Sequence, residues 1–328
     1  MSASPNTPAQ PTVSVAPMMD WTDRHCRYFH RLLAPSALLY TEMITAAALE
    51  HGDHDRLLAF DASEQPVVLQ IGGSDPALMA KAAALGGQAG YQAININVGC
   101  PSDRVQSGSF GACLMREPEL VAECYQAMRA ATDVDVTVKT RIGIDDLDSW
   151  EFFLGFVEPL MRAGLSELVV HARIAILNGL SPKQNRSVPP LNYERVFKLK
   201  QRYPQLRITL NGGIQSIKEI HAHLAHVDAV MIGREAYNNP YFLANIEQHF
   251  GSGRTPPDRD AIVRQMCVYA EKNLRAGSRL NHISRHMLGL FNGLPGARHW
   301  RRYLSEHAHR KNAGTEVLEA ALDARASA

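Results

Sequence analysis

No two of the five cysteines stand in a C-x-x-C pair; Cys26, Cys100, Cys113, Cys124 and Cys267 are scattered and odd in number. That pattern argues against a disulfide framework and against a zinc site, and predicts reduced thiols and no bound metal. No apolar run approaches the roughly 20 residues needed to span a membrane. The opening segment MSASPNTPAQPT has neither a basic head nor an apolar stretch, so residues 1–12 read as a disordered leader and not as a signal peptide. Together these absences predict a cytoplasmic protein. No G-x-G-x-x-G follows the first candidate strand, which weakens the case for a doubly wound dinucleotide-binding sheet.

Net charge is also nearly lacking, at +1, but the average hides a segregation. Residues 264 to 311 carry ten Lys/Arg against two Asp/Glu, and five histidines lie in the same stretch. A solvated helical face is the ordinary explanation of such a run; a polyanionic partner is the functional one.

Short apolar, β-branched runs recur along the chain, each followed by a stretch of helical length. Eight can be counted: VSVAP from Val13, ALLYTEM from Ala37, PVVLQIGG from Pro66, AININVG from Ala93, VDVTVKTR from Val134, ELVVHAR from Glu167, LRITLNGG from Leu206 and VDAVMIGR from Val227. The spacing suits right-handed βαβ crossovers, and eight such units predict an α/β fold of the (β/α)₈ TIM-barrel class over residues 13–248. Beyond the Gly/Pro-rich GSGRTPPDRD the runs stop, and residues 258–328 read as a smaller all-helical domain.

Each run ends in polar or special residues, and in a barrel those tips converge on one mouth. The seventh ends in Asn211, Gly212 and Gly213, the eighth in Gly233 and Arg234, each just before a helix. Bare backbone and a cation there suit a phosphate. Lys139, Gln70 and His171 stand at three further tips and suit a flavin ring, an amide for its pyrimidine edge and a cation for the carbonyl that gains charge on reduction. Flavin mononucleotide satisfies these parts together. Cys100, in NVGCPSD, has polar neighbours and a backbone course set by Gly99 and Pro101; an ordinary thiol keeps its proton at neutral pH and can donate it. Cys26, Cys124 and Cys267 read as small core hydrophobes; Cys113 in FGACLM is open between that reading and contact with the site.

These residues resemble the tRNA-dihydrouridine synthases, and among them the A-type bacterial subfamily. The matching segments are APMMDWTDRHCR, QIGGSDP, NVGCPSDRVQSGSFGACLM, VTVKTRIGID, GLSPKQNR, NGGI, VMIGREAY and RHMLGLFNGLPGARHWRRYLSEHA, spread from about residue 13 to 310. The resemblance implies a flavin mononucleotide barrel with a helical domain that grips tRNA. It implies reduction of the carbon 5 to carbon 6 double bond of D-loop uridines at positions 20 and 20a, with NADPH as electron donor. Carried onto this chain, reduced flavin delivers hydride to carbon 6 and Cys100 protonates carbon 5. Pro17, Met18, Met19, Gln70, Lys139, His171, Asn211, Gly212, Gly213, Gly233 and Arg234 hold the flavin. Asn97, Lys183, Arg186, Arg298, Arg301 and Arg302 face tRNA, and no obligatory protein partner is implied. Trp300 and Tyr303 interleave with these arginines, where Trp300 is either a stacking platform for bases or a core anchor.

Two departures from the family pattern stand in the loop after the sixth run: HARIAIL, with Ile174 and Ile176 in place of a cation and a tryptophan, and KQNR, with Gln184 in place of a glutamate. They bear on RNA contact, not on His171. A flavin-dependent enzyme of free pyrimidines, such as the dihydroorotate class, would share the tips but has no use for the basic helical appendage. A catalytically dead RNA-binding barrel would have no use for the flavin tips and Cys100 together.

Overall fold

The computed structural model describes residues 12–102, 105 and 108–327; the first eleven residues of the expected leader lie outside them. Nine strands form one sheet: β1 (Val13–Val15), β2 (Leu39–Tyr40), β3 (Ile44–Thr45), β4 (Val67–Gly72), β5 (Ala93–Val98), β6 (Asp135–Arg141), β7 (Glu167–His171), β8 (Arg207–Asn211) and β9 (Ala229–Ile232). All pairings are parallel, in the order β1-β9-β8-β7-β6-β5-β4-β2, with β3 beside β4. The ring closes where the Val15 N–H donates to the Leu38 carbonyl at 2.9 Å and the Leu38 N–H to the Val13 carbonyl at 3.1 Å. Helices occupy the crossovers, so the chain folds as the expected barrel.

The period of two along each strand sorts the side chains. Outward residues such as Leu69, Ile71, Ile94, Ile96, Val136, Val138, Leu168 and Val170 join the main core against the helices. Inside, Ala16, Tyr40, Val68, Val169 and Met231 make a separate small cluster that fills the barrel. Above it the inward positions turn polar: Gln70, Asn95, Thr137 and Asn211 are all buried. The second run departs from expectation: only Leu39–Tyr40 of it is strand, and a further short strand, β3, follows just beyond it. Thr41 causes the break, because its hydroxyl takes over a ladder position: it accepts from the Gln70 N–H at 3.0 Å and donates to the Glu42 carbonyl at 2.7 Å.

From Arg259 onward the described residues form helices and turns only, the longer helices being Arg259–Arg275, Ala297–His307 and Glu316–Ala326. They share one continuous apolar core with the barrel's outer shell. Asp23 joins the two regions: it caps helix Arg24–Leu33 and also takes Arg285 at 2.6 Å and His286 at 3.0 Å. No described helix is long and apolar enough to cross a membrane.

Candidate active site

The strand tips enclose a cleft of about 1120 Å³ at the C-terminal mouth. Pro17, Met18, Met19, Gln70, Asn97, Cys100, Lys139, His171, Arg186, Asn211, Gly212, Gly213, Gly233 and Arg234 all line it. The fold therefore brings the candidate thiol, the candidate flavin positions and two of the candidate RNA positions into one space.

A chain of amides fixes the thiol's loop. Asn97 Oδ1 accepts from the Gly99 and Cys100 N–H groups at 3.1 and 3.0 Å. Its Nδ2 must then donate, and does so to Gln70 Oε1 at 2.8 Å; Gln70 Nε2 donates to Asn95 Oδ1 at 2.9 Å, and Asn95 Nδ2 to Thr137 Oγ1 at 2.8 Å. On the other side the Ala112 N–H donates to the Cys100 carbonyl at 2.9 Å. Gly111 makes this approach possible: its φ is +77°, and a Cβ there would stand 2.6 Å from the Cys100 carbonyl oxygen. The Cys100 side chain is half-buried, with Sγ 3.5 Å from Ser102 Oγ. Cys113 turns its thiol to the Phe110 carbonyl and does not line the cleft.

Charged side chains of both signs line the cleft, Glu235 beside Arg234 among them. Over β6 to β9 stand Lys139, Arg141, Arg186 and Arg234, and among the described residues none of the four makes an ion pair with a carboxylate. Lys139 Nζ donates to Asn211 Oδ1 at 3.2 Å. Burial first, and the neighbouring Arg141 second, lower its pKa to about 7. Burial and the surrounding cations push His171 well below the usual imidazole range, so it is a neutral ring at physiological pH. Opposite, Asp20, Asp23 and Glu42 line the cleft beside β1 to β3 together with Arg24, Arg27 and Arg56; burial, Asp23 and Asp20 raise the Glu42 carboxyl.

The residues fit a phosphorylated ring. A Cβ built on Gly233 would meet nothing within 4 Å, so the backbone that opens helix Arg234–Asn238 is bare toward open space. Gly212 and Gly213 have φ of +124° and +76°, and a Cβ on Gly212 would press on His171 and Leu191 at 2.9 Å. Cations without a carboxylate partner among the described residues stand above these glycines and would complement an anion there.

The remaining candidates fall outside the cleft. Lys183 is exposed on the loop after β7, next to Pro182, which does line it. That loop is organised by a residue the sequence did not single out: Asn185 is fully buried, accepts from the Ile176 N–H at 2.7 Å and donates to the Ile176 and Leu180 carbonyls. Gln184 spans the same turn with Ser181, so both departures sit in a loop whose course is set by side chains bonded to its backbone. Arg298, Arg301 and Arg302 are exposed on helix Ala297–His307. Trp300 is not a stacking platform: it is completely buried, donates from Nε1 to the Met287 carbonyl at 3.0 Å and meets Phe291 edge to face. Tyr303 stacks on His307. Arg141 and Glu42, both at strand tips, line the cleft although residue type alone gave neither a role.

Fold and site together define a barrel whose C-terminal mouth sets a thiol and several cations around one cleft. Residues 14–326 match the dihydrouridine synthase family (Dus). The chain is 56% identical over 311 residues to the tRNA-dihydrouridine(20/20a) synthase of Shewanella oneidensis, covering 94% of this chain and 92% of that protein. It is 57% identical over 311 residues to the protein of the same name from Escherichia coli, with 94% and 90% covered. The chain belongs to the dihydrouridine synthase family and is an enzyme. Among solved structures it resembles an old yellow enzyme homologue from Zymomonas mobilis, with a TM-score of 0.54 at 12% identity, covering 75% of this chain and 90% of that one. A 2-naphthoyl-CoA reductase gives a TM-score of 0.57 at 9% identity, covering 73% and 50%. Both likenesses are of fold.

Proposed function

We propose that this enzyme reduces the carbon 5 to carbon 6 double bond of uridine in the D-loop of tRNA, giving 5,6-dihydrouridine at positions 20 and 20a. The observation that carries the reading is the placement of Cys100 in the same cleft as Lys139, His171 and the glycine shelf of Gly212, Gly213 and Gly233. Flavin mononucleotide bound in this cleft and reduced by NADPH would supply hydride chemistry at carbon 6. Gly212, Gly213, Gly233 and Arg234 hold its phosphate. Pro17 to Met19, Gln70, Lys139, His171 and Asn211 hold its ring. Lys139 offers a cation whose proton is available near neutral pH, and neutral His171 adds no competing charge.

Cys100 gives the Sγ proton to carbon 5. Asn97 sets the loop that carries it and faces the substrate base; Arg186 and Lys183 approach from the loop after β7. The helical domain, residues 258–328, presents Arg298, Arg301 and Arg302 to the tRNA backbone, and the catalytic domain is residues 13–248. The enzyme works in the cytoplasm, where tRNA and NADPH are, and needs no protein partner.

Replacing Cys100 by Ala should leave bound flavin and NADPH oxidation largely intact while dihydrouridine formation falls by roughly 10² to 10⁴, the usual loss for a missing general acid. Incubation with NADPH and tRNA lacking dihydrouridine, followed by position mapping, reads the result. Wild-type turnover by the variant would remove Cys100 from the acid role.

A further inference from the structure

Arg141 is 3% exposed, yet it belongs to the cleft and has no carboxylate partner among the described residues. Instead its guanidinium bridges backbone. Nε donates to the Gly99 carbonyl at 2.8 Å, and Nη1 to the carbonyls of Ile174 at 2.9 Å and Asn185 at 3.0 Å. Gly99 immediately precedes Cys100; Ile174 and Asn185 bracket the loop that carries Lys183 and ends at Arg186. The two loops stand on different strands, β5 and β7, and β6 runs between them with Arg141 as its last residue. A planar fork with five donors can hold three carbonyls at fixed mutual angles; a single ammonium cannot.

We propose that Arg141 is a positioning residue for the acid step: it sets the thiol of Cys100 against the base-gripping loop, and its fixed charge stabilises the thiolate left when the proton has moved to carbon 5. The proposal rests on the proposed function. In that step the Sγ–H bond breaks, a carbon 5–hydrogen bond forms, and the sulfur keeps the electron pair until solvent reprotonates it. A buried guanidinium with no carboxylate partner among the described residues is costly unless another group uses the charge. Lys139 and Arg141 on β6 and Arg186 on the facing loop each interact by charge with Cys100, and none of the three makes an ion pair with a carboxylate among the described residues. Ser102 is the thiol's hydroxyl neighbour.

Two substitutions in the flavin-loaded enzyme separate the two parts of the role. Arg141→Gln removes the charge and should raise the pH midpoint for iodoacetamide alkylation of Cys100, read by mass spectrometry of its peptide, by about one unit. Arg141→Lys keeps the charge and loses the bracket. The alkylation midpoint should stay near wild type, while single-turnover dihydrouridine formation at saturating tRNA falls at least tenfold. A wild-type midpoint in the Gln variant, or full turnover in the Lys variant, would overturn the proposal. If the Gln variant does not fold, the Lys variant still decides the positioning role. Cys100→Ala serves as reference: wild-type turnover there would sink the acid assignment itself and is distinguishable from either Arg141 result.

Discussion

Lys139 shows how far a single side chain can be read from sequence. Its position at a strand tip was legible, because the preceding DVDVTV is unmistakably strand; its proton affinity was not, because burial and Arg141 come from the folded mouth. An anion bound beside it should restore the ammonium. At pH 8, above its pKa of about 7, flavin mononucleotide binding to the apoprotein should therefore take up close to one proton, and at pH 6 almost none. Calorimetry in buffers of different ionisation enthalpy measures this, and heats that do not vary with buffer at pH 8 would place the lysine away from the anionic ligand. Trp300 gives the opposite lesson. Interleaving with arginines left a stacking ring and a core anchor both open; helical spacing puts Trp300 and Leu304 on one face, four residues apart, and both are buried. Arg298, Arg301 and Arg302 take the other face.

At the scale of elements, the barrel was readable because the outward faces of the long strands are mostly Val, Ile and Leu while polar residues gather at their ends. What could not be read were partnerships between distant segments. Nothing in TDRHCR or SRHML announces that Asp23 meets Arg285 and His286. Burial alone would raise the Asp23 carboxyl; hydrogen bonding and charge from His286, the Cys26 N–H and Arg285 outweigh it and hold the pKa well below the usual carboxylate range. A depressed carboxylate contributes stability above its unfolded pKa of about 4 and loses it as pH falls toward the folded value. Asp23→Asn keeps a competent helix cap and removes the charge. Urea unfolding should show the variant less stable at pH 7, with the gap narrowing below about pH 4. An equal gap at both would assign Asp23 to capping only.

For the molecule as a whole, a net charge of +1 conceals a basic helical region attached to a barrel of opposite balance. Arg302 is tied only to Glu306 on its own helix and Arg301 to Asn292, both exposed pairings that a phosphate can displace at little cost. Replacing Arg301 and Arg302 by Gln should weaken tRNA binding and flatten the dependence of log K on log salt by one to two units, measured by filter binding over a salt series. An unchanged slope would mean that this helix faces away from RNA. The amide chain through the barrel has a consequence of its own. Because Asn97 must accept twice at the Cys100 loop, every amide behind it is committed to one orientation, ending at Thr137 in the barrel interior. Direction is thus transmitted like the teeth of a ratchet, and a methyl in place of the Thr137 hydroxyl would strand the Asn95 amide and free the next to turn. Thr137→Val should then speed hydrogen exchange at the Gly99 and Cys100 amides, making a residue sealed inside the barrel a remote control on the reactivity of its rim.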